Sequence, residues 1–177
     1  MKKEVSLYDI VNLEIIRNGV KEVIKKAAEL DSPDLLILDI APQVHNGAKE
    51  FFSKGKIFTL DIDPNSDADY IADLCENNSN IIPSNFFDII ICTEVLEHTL
   101  NPFSAVNELC RILKPNGKVF VSTPFNFRVH GPLPDCWRFT EHGLRTLFKD
   151  YTSVEIKSID DENRFLMPIQ YHTFATK

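Results

Sequence analysis

The sequence predicts an α/β protein in which helices cover both faces of a doubly wound, mostly parallel sheet. Short continuous apolar runs recur along the chain, each with the length of a strand buried on both faces. These runs occupy residues 35–40, 56–60, 87–92 and 118–122. An amphipathic helical pattern separates the last two, and alternation of buried strands with helices is typical of a parallel sheet. The length of 177 residues fits one domain.

Residues 1–32 are predicted to form a helical lead-in to a sheet core at residues 33–177. Apolar side chains recur at helical spacing on both sides of Asn18 and Gly19, a pair that predicts a break between two helical pieces. Ser6 is a candidate N-cap for the first piece. Since this segment contains no motif with an evident chemical role, we expect it to cover one face of the sheet.

The second half of the chain contains two predicted helices with recognisable starts. Asn101 can cap a helix whose first turn contains a proline, and Thr140 can cap a second helix. Residues 153–159 alternate in polarity like a strand exposed on one side, and residues 170–177 are predicted as the last strand.

The composition excludes several classes of partner. The chain is 44% hydrophobic and 25% charged, with a formal net charge of -7. Negative charge and scattered basic residues repel a phosphate backbone, so we expect no nucleic-acid partner. No apolar run approaches the roughly 20 residues that cross a bilayer, so we expect no membrane partner and a cytoplasmic location. The four cysteines lack CxxC spacing, which predicts free thiols and no metal site.

Acidic residues follow the predicted strands at the points where the strands end. Asp39 closes the first strand, Asp61 and Asp63 follow the second, Asp73 follows a short apolar run, and Glu94 follows the next long strand. In an open α/β sheet, ligands bind beyond the carboxyl ends of the strands, where a carboxylate accepts hydrogen bonds from ribose hydroxyls or an amino group. For each residue alone, a helix cap or a solvated strand end is the simpler interpretation. The whole set indicates a nucleoside ligand.

Two segments make the chain resemble the class I methyltransferases, and the type-11 group in particular. These are FDIIICTEVLEHTLNP at 87–102 and RILKPNGKVFVSTPF at 111–125. The resemblance extends over roughly residues 35–150. It implies one domain over residues 1–177, with a Rossmann-like sheet of about seven strands whose last strand is antiparallel. It also implies S-adenosyl-L-methionine as the cofactor and methyl transfer to a small-molecule acceptor.

The resemblance assigns a role to each residue of the cofactor pocket. It implies that Asp39 lies near the methionine end of the cofactor and that Asp61 accepts the ribose hydroxyls. Ile62 would pack on the adenine ring. The adenine edge and its amino group would meet Asp73 and the backbone of Leu74.

The resemblance also implies that Thr93 and Glu94 line the pocket beneath the cofactor. The first loop, in contrast, departs from the resembled family. The family usually places glycines directly after the first acid, whereas this chain has Ala41 and Pro42 there and its next glycine is Gly47. This departure predicts a lower affinity for the methionine portion of the cofactor.

Two histidines are candidates for the chemical step. Methyl transfer is an in-line displacement, so the enzyme aligns the reactants and removes a proton from a hydroxyl or amine acceptor. His98 is expected near the mouth of the pocket, although this position is commonly architectural in the resembled family. His130 lies in a long irregular stretch and is the stronger candidate. Surface or internally satisfied positions are expected for His45, His142 and His172.

The stretch from 122 to 144 resembles a methyltransferase subgroup that shows His, then Pro-x-Asp, then Trp-Arg-Phe-Thr. That subgroup is often found in bacterial pathways that modify surface sugars or related metabolites. The mixture of aromatic and ionisable residues in the stretch from 122 to 144 fits a wall of the substrate pocket. Equally open is a packing role, in which Trp137 and Phe139 hold the loop on the sheet while Arg138 pairs with an acid such as Asp135.

Three functional hypotheses follow. The first is a methyltransferase acting on a small-molecule or sugar-type oxygen or nitrogen acceptor, with a homodimer as a way to complete the site. The second is a catalytically silent relative that binds or scaffolds, motivated by the loop at Ala41 and Pro42. The third and weakest is an NAD(P)-dependent oxidoreductase, because the chain lacks the GxGxxG turn that binds a pyrophosphate.

Overall fold

A computed structural model, which describes residues 5–42 and 46–177, contains seven strands and three α-helices in those residues. The strands are β1 (Leu36–Ile40), β2 (Lys56–Asp61), β3 (Tyr70–Ile71), β4 (Phe87–Thr93), β5 (Leu113–Pro124), β6 (Ser153–Ile159) and β7 (Gln170–Thr176). The α-helices are α1 (Leu7–Ala28), α2 (Pro102–Ile112) and α3 (Glu141–Leu147). Short 3-10 turns occupy Gly47–Glu50 and Leu96–His98.

The seven strands form one sheet in the order β3-β2-β1-β4-β5-β7-β6. Strands β1 to β5 pair in parallel, and β7 is antiparallel to both of its neighbours. This arrangement confirms the predicted fold class. The strand order reverses direction at β1 and β4, so a crevice opens beyond their carboxyl ends, where ligands bind in doubly wound sheets.

Apolar layers cover the two faces of the sheet. One layer packs α2 and α3 on the sheet through residues such as Leu38, Leu109 and Leu144. The opposite layer packs α1 on the sheet through residues such as Val23 and Ile37. The helices therefore lie on both faces, as predicted. Among the helices described in residues 5–42 and 46–177, none combines the length and apolar character needed to span a membrane.

The helix starts follow the predicted caps. The side chains of Ser6, Asn101 and Thr140 accept hydrogen bonds from backbone N–H groups in the first turns of α1, α2 and α3. Residues 115–117 form an irregular part of β5, since the pairing with β4 shifts register between Phe87 and Ile89. The irregularity allows β5 to pair with β4 on both sides of the shift.

The predicted break at Gly19 is wrong, because α1 is one continuous helix of 22 residues. A glycine weakens a helix locally, but Gly19 faces side chains of β7. A Cβ atom at this position would overlap Oε1 of Gln170 and lie 2.8 Å from Nε2 of His172. Gln170 and His172 are almost completely buried. Close packing between helix and strand thus explains the glycine.

We expect Gly19→Ala to destabilise the protein by about 1–2 kcal/mol, because the cost of overpacking exceeds the gain in helix propensity. Urea unfolding followed by circular dichroism measures this change. Asn18→Ala is the matched control, since Asn18 is an exposed neighbour in the same helix, and we expect it to be neutral or slightly stabilising. A Gly19→Ala variant as stable as the wild type would contradict the close-packing explanation.

Candidate active site

A cleft of about 640 Å³ opens beyond the carboxyl ends of β1 and β4. One wall is the face of α1 that carries Leu13, Arg17 and Val20, and the loop after β5 forms another. The cleft brings together six of the residues predicted from the sequence, namely Asp39, Ala41, Thr93, Glu94, His98 and His130. Residues more than 90 positions apart in the chain therefore share one cavity.

The loop after β1 is built around the Asp39 carboxylate. Asp39 is only 3% exposed, and its Oδ2 accepts a hydrogen bond of 2.7 Å from the backbone N–H of Ala48. Gly47 has a φ of +53°, and a Cβ atom there would overlap the same oxygen. The glycine needed for close approach to this acid therefore stands at 47, inside a short 3-10 turn.

Ala41 adopts the backbone conformation that a glycine takes most easily. Its φ is +50°, in the left-handed region. Its N–H donates to the carbonyl of Leu60 at the end of β2 over 2.7 Å. The strand end therefore turns as a glycine would allow, although a methyl group is present.

Glu94 also adopts a left-handed conformation, with a φ of +54°. Its Oε1 accepts hydrogen bonds from Oγ of Ser122 at 2.8 Å and from Nε2 of Gln170 at 2.7 Å. Burial raises the pKa of Glu94 to about 7, against the lowering effect of these two donors. Since Gln170 also contacts His172 at 2.9 Å, Glu94 belongs to a buried polar network that joins β4, β5 and β7.

The residues predicted to contact the nucleoside lie outside this cleft, on the β2 and β3 side of β1. Asp61 and Asp73 each use one carboxylate oxygen locally, accepting the N–H two residues later at 2.9 Å and 2.8 Å. Ile62 is 65% exposed, whereas the side chain of Leu74 is buried. Their roles toward ribose and adenine stay predictions.

The long stretch after β5 is held on the 3-10 turn of Leu96–His98. The backbone N–H groups of Cys136 and Trp137 donate to the carbonyl of Glu97 at 2.7 Å and 3.1 Å. The indole N–H of Trp137 donates to the carbonyl of Thr99 at 2.8 Å. The stretch is thus attached to the segment that follows β4.

An ion pair organises the same stretch from within. The Arg138 guanidinium binds both oxygens of Asp135, with Nη2 and Oδ2 separated by 2.8 Å, and this contact holds the pKa of Asp135 far below its usual range. Arg138 also donates to the carbonyls of Phe127 and Arg128. The predicted pairing of Arg138 with Asp135 is therefore present. The same loop also presents His130 to the cleft.

His98 and His130 form a contacting pair, with ring centroids 4.9 Å apart. Nε2 of each ring lies 3.8 Å from Oε1 of Glu97. Nδ1 of His98 lies 2.9 Å from the carbonyl oxygen of Pro134, and Nδ1 of His130 lies 3.0 Å from Oδ2 of Asp135. Glu97, His98 and His130 thus place a carboxylate oxygen and two ring nitrogens within 4.8 Å of one another, a donor set that can hold a metal ion.

Glu97 was not among the residues predicted from the sequence. Its only signal is its position beside His98 in the segment TEVLEH. Of the other histidines, His172 is buried and hydrogen-bonded to Gln170, and burial lowers its pKa to about 4. His142 is exposed on α3, and His45 lies outside the described residues.

Comparison with known proteins identifies relatives of the chain. A family model described as a methyltransferase domain matches residues 12–161. The ubiquinone biosynthesis O-methyltransferase of Photobacterium profundum is 40% identical over 55 residues, which are 31% of this chain and 23% of that protein. In this alignment the chain thus spans less than a quarter of the relative's length.

Two solved structures show the same fold. A SAM-dependent methyltransferase from Archaeoglobus fulgidus superposes with a TM-score of 0.67 at 16% identity, over 97% of this chain and 100% of that chain. Phosphoethanolamine N-methyltransferase 2 of Haemonchus contortus, in complex with S-adenosyl-L-methionine, gives a TM-score of 0.68 at 15% identity, over 90% and 52% of the two chains.

The buried carboxyl of Asp39 makes stability depend on pH. Burial raises its pKa from 3.8 to about 6. Between these two pH values the folded chain binds the proton on Asp39 more tightly than the unfolded chain does. The folded state is therefore destabilised progressively as the pH rises from about 4 to about 6, and the full loss is present above about 6. The difference is worth about 3 kcal/mol, since one pKa unit corresponds to about 1.4 kcal/mol.

We expect Asp39→Asn to be more stable than the wild type by up to about 3 kcal/mol at pH 8, and by much less at pH 4. The amide oxygen can still accept the N–H of Ala48. Urea unfolding at both pH values, without added ligand, measures the difference. Asp34→Asn, at an exposed aspartate before β1, is the control. An equal effect of Asp39→Asn at pH 4 and pH 8 would contradict the predicted linkage.

Proposed function

This chain belongs to the methyltransferase domain family, and we propose that it transfers a methyl group from S-adenosyl-L-methionine to an oxygen or nitrogen atom of a small-molecule acceptor. The observation that carries the proposal is the cleft at β1 and β4, which lies where doubly wound sheets bind ligands. The family match includes every strand from β1 to β6 and thus the whole floor of this cleft.

The methionine end of the cofactor is proposed to enter the cleft beside Asp39 and Ala41. The left-handed turn at Ala41 supports this assignment, because it supplies the strand-end geometry expected of a glycine. The same observation favours a cofactor-binding enzyme over a relative that kept only the fold. When bound, S-adenosyl-L-methionine supplies a methyl group activated by the sulfonium.

The nucleoside end is proposed to cross the tip of β1 toward β2 and β3. There Asp61 would accept the ribose hydroxyls, and Asp73 with the Leu74 backbone would meet the adenine edge. The exposed side chain of Ile62 supports this placement, since an apolar group at a strand tip is suited to packing on a flat base. The local hydrogen bonds of Asp61 and Asp73 occupy one carboxylate oxygen each.

The acceptor is proposed to bind at the end of the cleft lined by His98 and His130. Both histidines line the cavity. Methyl transfer to a hydroxyl or amine acceptor requires that the acceptor lose a proton, and an imidazole can accept it. The O-methyltransferase relatives support an oxygen acceptor, and the Trp-Arg-Phe-Thr stretch supports a sugar-type or related metabolite. The histidine pair thus marks the reacting end of the site.

We expect the purified chain to bind S-adenosyl-L-methionine or its demethylated product in a calorimetric titration. Transfer of a labelled methyl group to a panel of hydroxyl and amine acceptors tests the reaction itself. Absence of binding at millimolar ligand would overturn the proposal, and binding without transfer to any acceptor would favour a silent binding protein.

Asp61→Ala should weaken cofactor binding by about 1–3 kcal/mol, or about 5- to 150-fold, because the ribose hydroxyls lose their acceptor. The titration that establishes binding measures the change. Asp67→Ala is a matched control, since Asp67 is an exposed aspartate in the same loop, and it should leave affinity unchanged. Equal affinities of the Asp61 variant and the wild type would remove Asp61 from the site.

A further inference from the structure

The two edges of the seven-stranded sheet differ in length. At one edge, β3 contains only two residues, whereas β6 at the other edge pairs with β7 over residues 153–159 without a shift in register. Residues 153–159 include no proline, a residue that commonly blocks pairing along an edge. Strand β6 therefore presents a regular row of backbone N–H and C=O groups with which a further strand can pair.

The side chains of β6 divide between the two faces of the sheet. Val154 and Ile156 are half-buried and pack toward the apolar layer of α2 and α3. Glu155 and Lys157 are exposed on the α1 side, where Glu155 lies across from Phe174 of β7. The edge thus carries one negative and one positive charge, two residues apart, on the same face.

We propose that β6 pairs antiparallel with β6 of a second copy of this chain, which joins the two sheets into one. Two identical edges related by a two-fold axis meet in antiparallel orientation and use the same surface on each copy. When the pairing is centred on Ile156, Glu155 of each copy lies directly opposite Lys157 of the other. Directly opposite side chains share a face of the sheet and contact each other, so the interface contains two pairs of opposite charge.

Charge and polarity select this register over its neighbours. A shift of two residues in one direction places Glu155 opposite its own copy, and a shift in the other direction does the same for Lys157. Like charges directly opposite each other are destabilising. A shift of one residue places Glu155 opposite Ile156 and turns the apolar side of the second copy to the other face. Among these registers, the one centred on Ile156 alone pairs opposite charges and keeps both apolar sides together.

Both charges of the edge are available to a second copy. Among the described residues, neither Glu155 nor Lys157 forms an ion pair within the chain. A groove of about 450 Å³ between α1 and β6 includes Ser153 and Glu155, so there is space beside the edge on this face. The formal net charge of -7 opposes association of two copies in general. An edge that supplies its own positive charge is therefore a favourable place for contact.

The edge at β6 is separate from the cleft. Residues of α1, the ends of β1 and β4, and the loops that follow β1 and β5 line the cleft. Strands β5 and β7 lie between β4 and β6 in the sheet. Pairing through β6 therefore does not depend on the proposed function.

Sedimentation equilibrium of the full chain at low ionic strength, without cofactor, measures the association. We expect a species of twice the 20.2 kDa chain mass, with a dissociation constant on the order of micromolar, as is common for small interfaces. Glu155→Lys and Lys157→Glu should each weaken association about 10- to 100-fold, because each turns both pairs of opposite charge into like-charge pairs. The variant that carries both reversals regains opposite charges and should associate within about threefold of the wild type.

Glu76→Lys is the matched control for Glu155→Lys. It makes the same change of charge at an exposed residue beyond β3, at the other end of the sheet, and it should associate like the wild type. Circular dichroism verifies that each variant is folded. If one reversal is unfolded, the other reversal and the double variant decide.

Three results would overturn the proposed pairing. The first is a monomer at every concentration up to about 500 µM, where even weak interfaces are populated. The second is association that neither reversal weakens, which would place the contact on another surface. The third is association that the double variant fails to restore. Because the measurement contains no S-adenosyl-L-methionine, each of these results leaves the tests of cofactor binding and methyl transfer intact.

Discussion

The ion pair between Arg138 and Asp135 is the interaction on which the geometry of the cleft depends. It joins two points of a stretch that has no helix or strand between β5 and α3, and its guanidinium also binds two carbonyls at the start of that stretch. Asp135 accepts the backbone N–H of His130 at 2.9 Å and contacts its ring. One carboxylate thus fixes both the path of the loop and the direction of the histidine.

A second set of buried polar groups fixes the opposite wall. Gln170 in β7 is hydrogen-bonded to Glu94 beyond β4 and packs directly on Gly19 of α1. Because Gln170 and His172 are buried, their polar atoms need partners inside the protein. The position of α1 against the sheet, and hence one side of the cleft, therefore depends on a network that starts at the tip of β4.

The sequence predicted the elements that local patterns determine. Strands β1, β2 and β4 agree with the predicted runs within about one residue, because strands buried on both faces consist of uninterrupted apolar residues. The wrongly predicted helix break at Gly19 has a different origin. A glycine within a helical pattern favours a break, and only its contact with β7 explains why the helix continues. Tertiary contacts also explain a second gap in the prediction. The sequence predicted that His98 and His130 lie near the pocket, but it did not predict their common neighbour Glu97. Side-chain direction, which decides that contact, depends on tertiary packing.

The glycine of the first loop illustrates how one structural requirement can move along a chain. In this protein the small residue that approaches Asp39 is Gly47, while the turn at the strand end is made by Ala41. A pattern that demands a glycine directly after the strand would reject the chain, although its backbone makes the same turn. Searches for distant relatives therefore gain from scoring backbone conformation and glycine position separately, because evolution can distribute the two tasks over different residues.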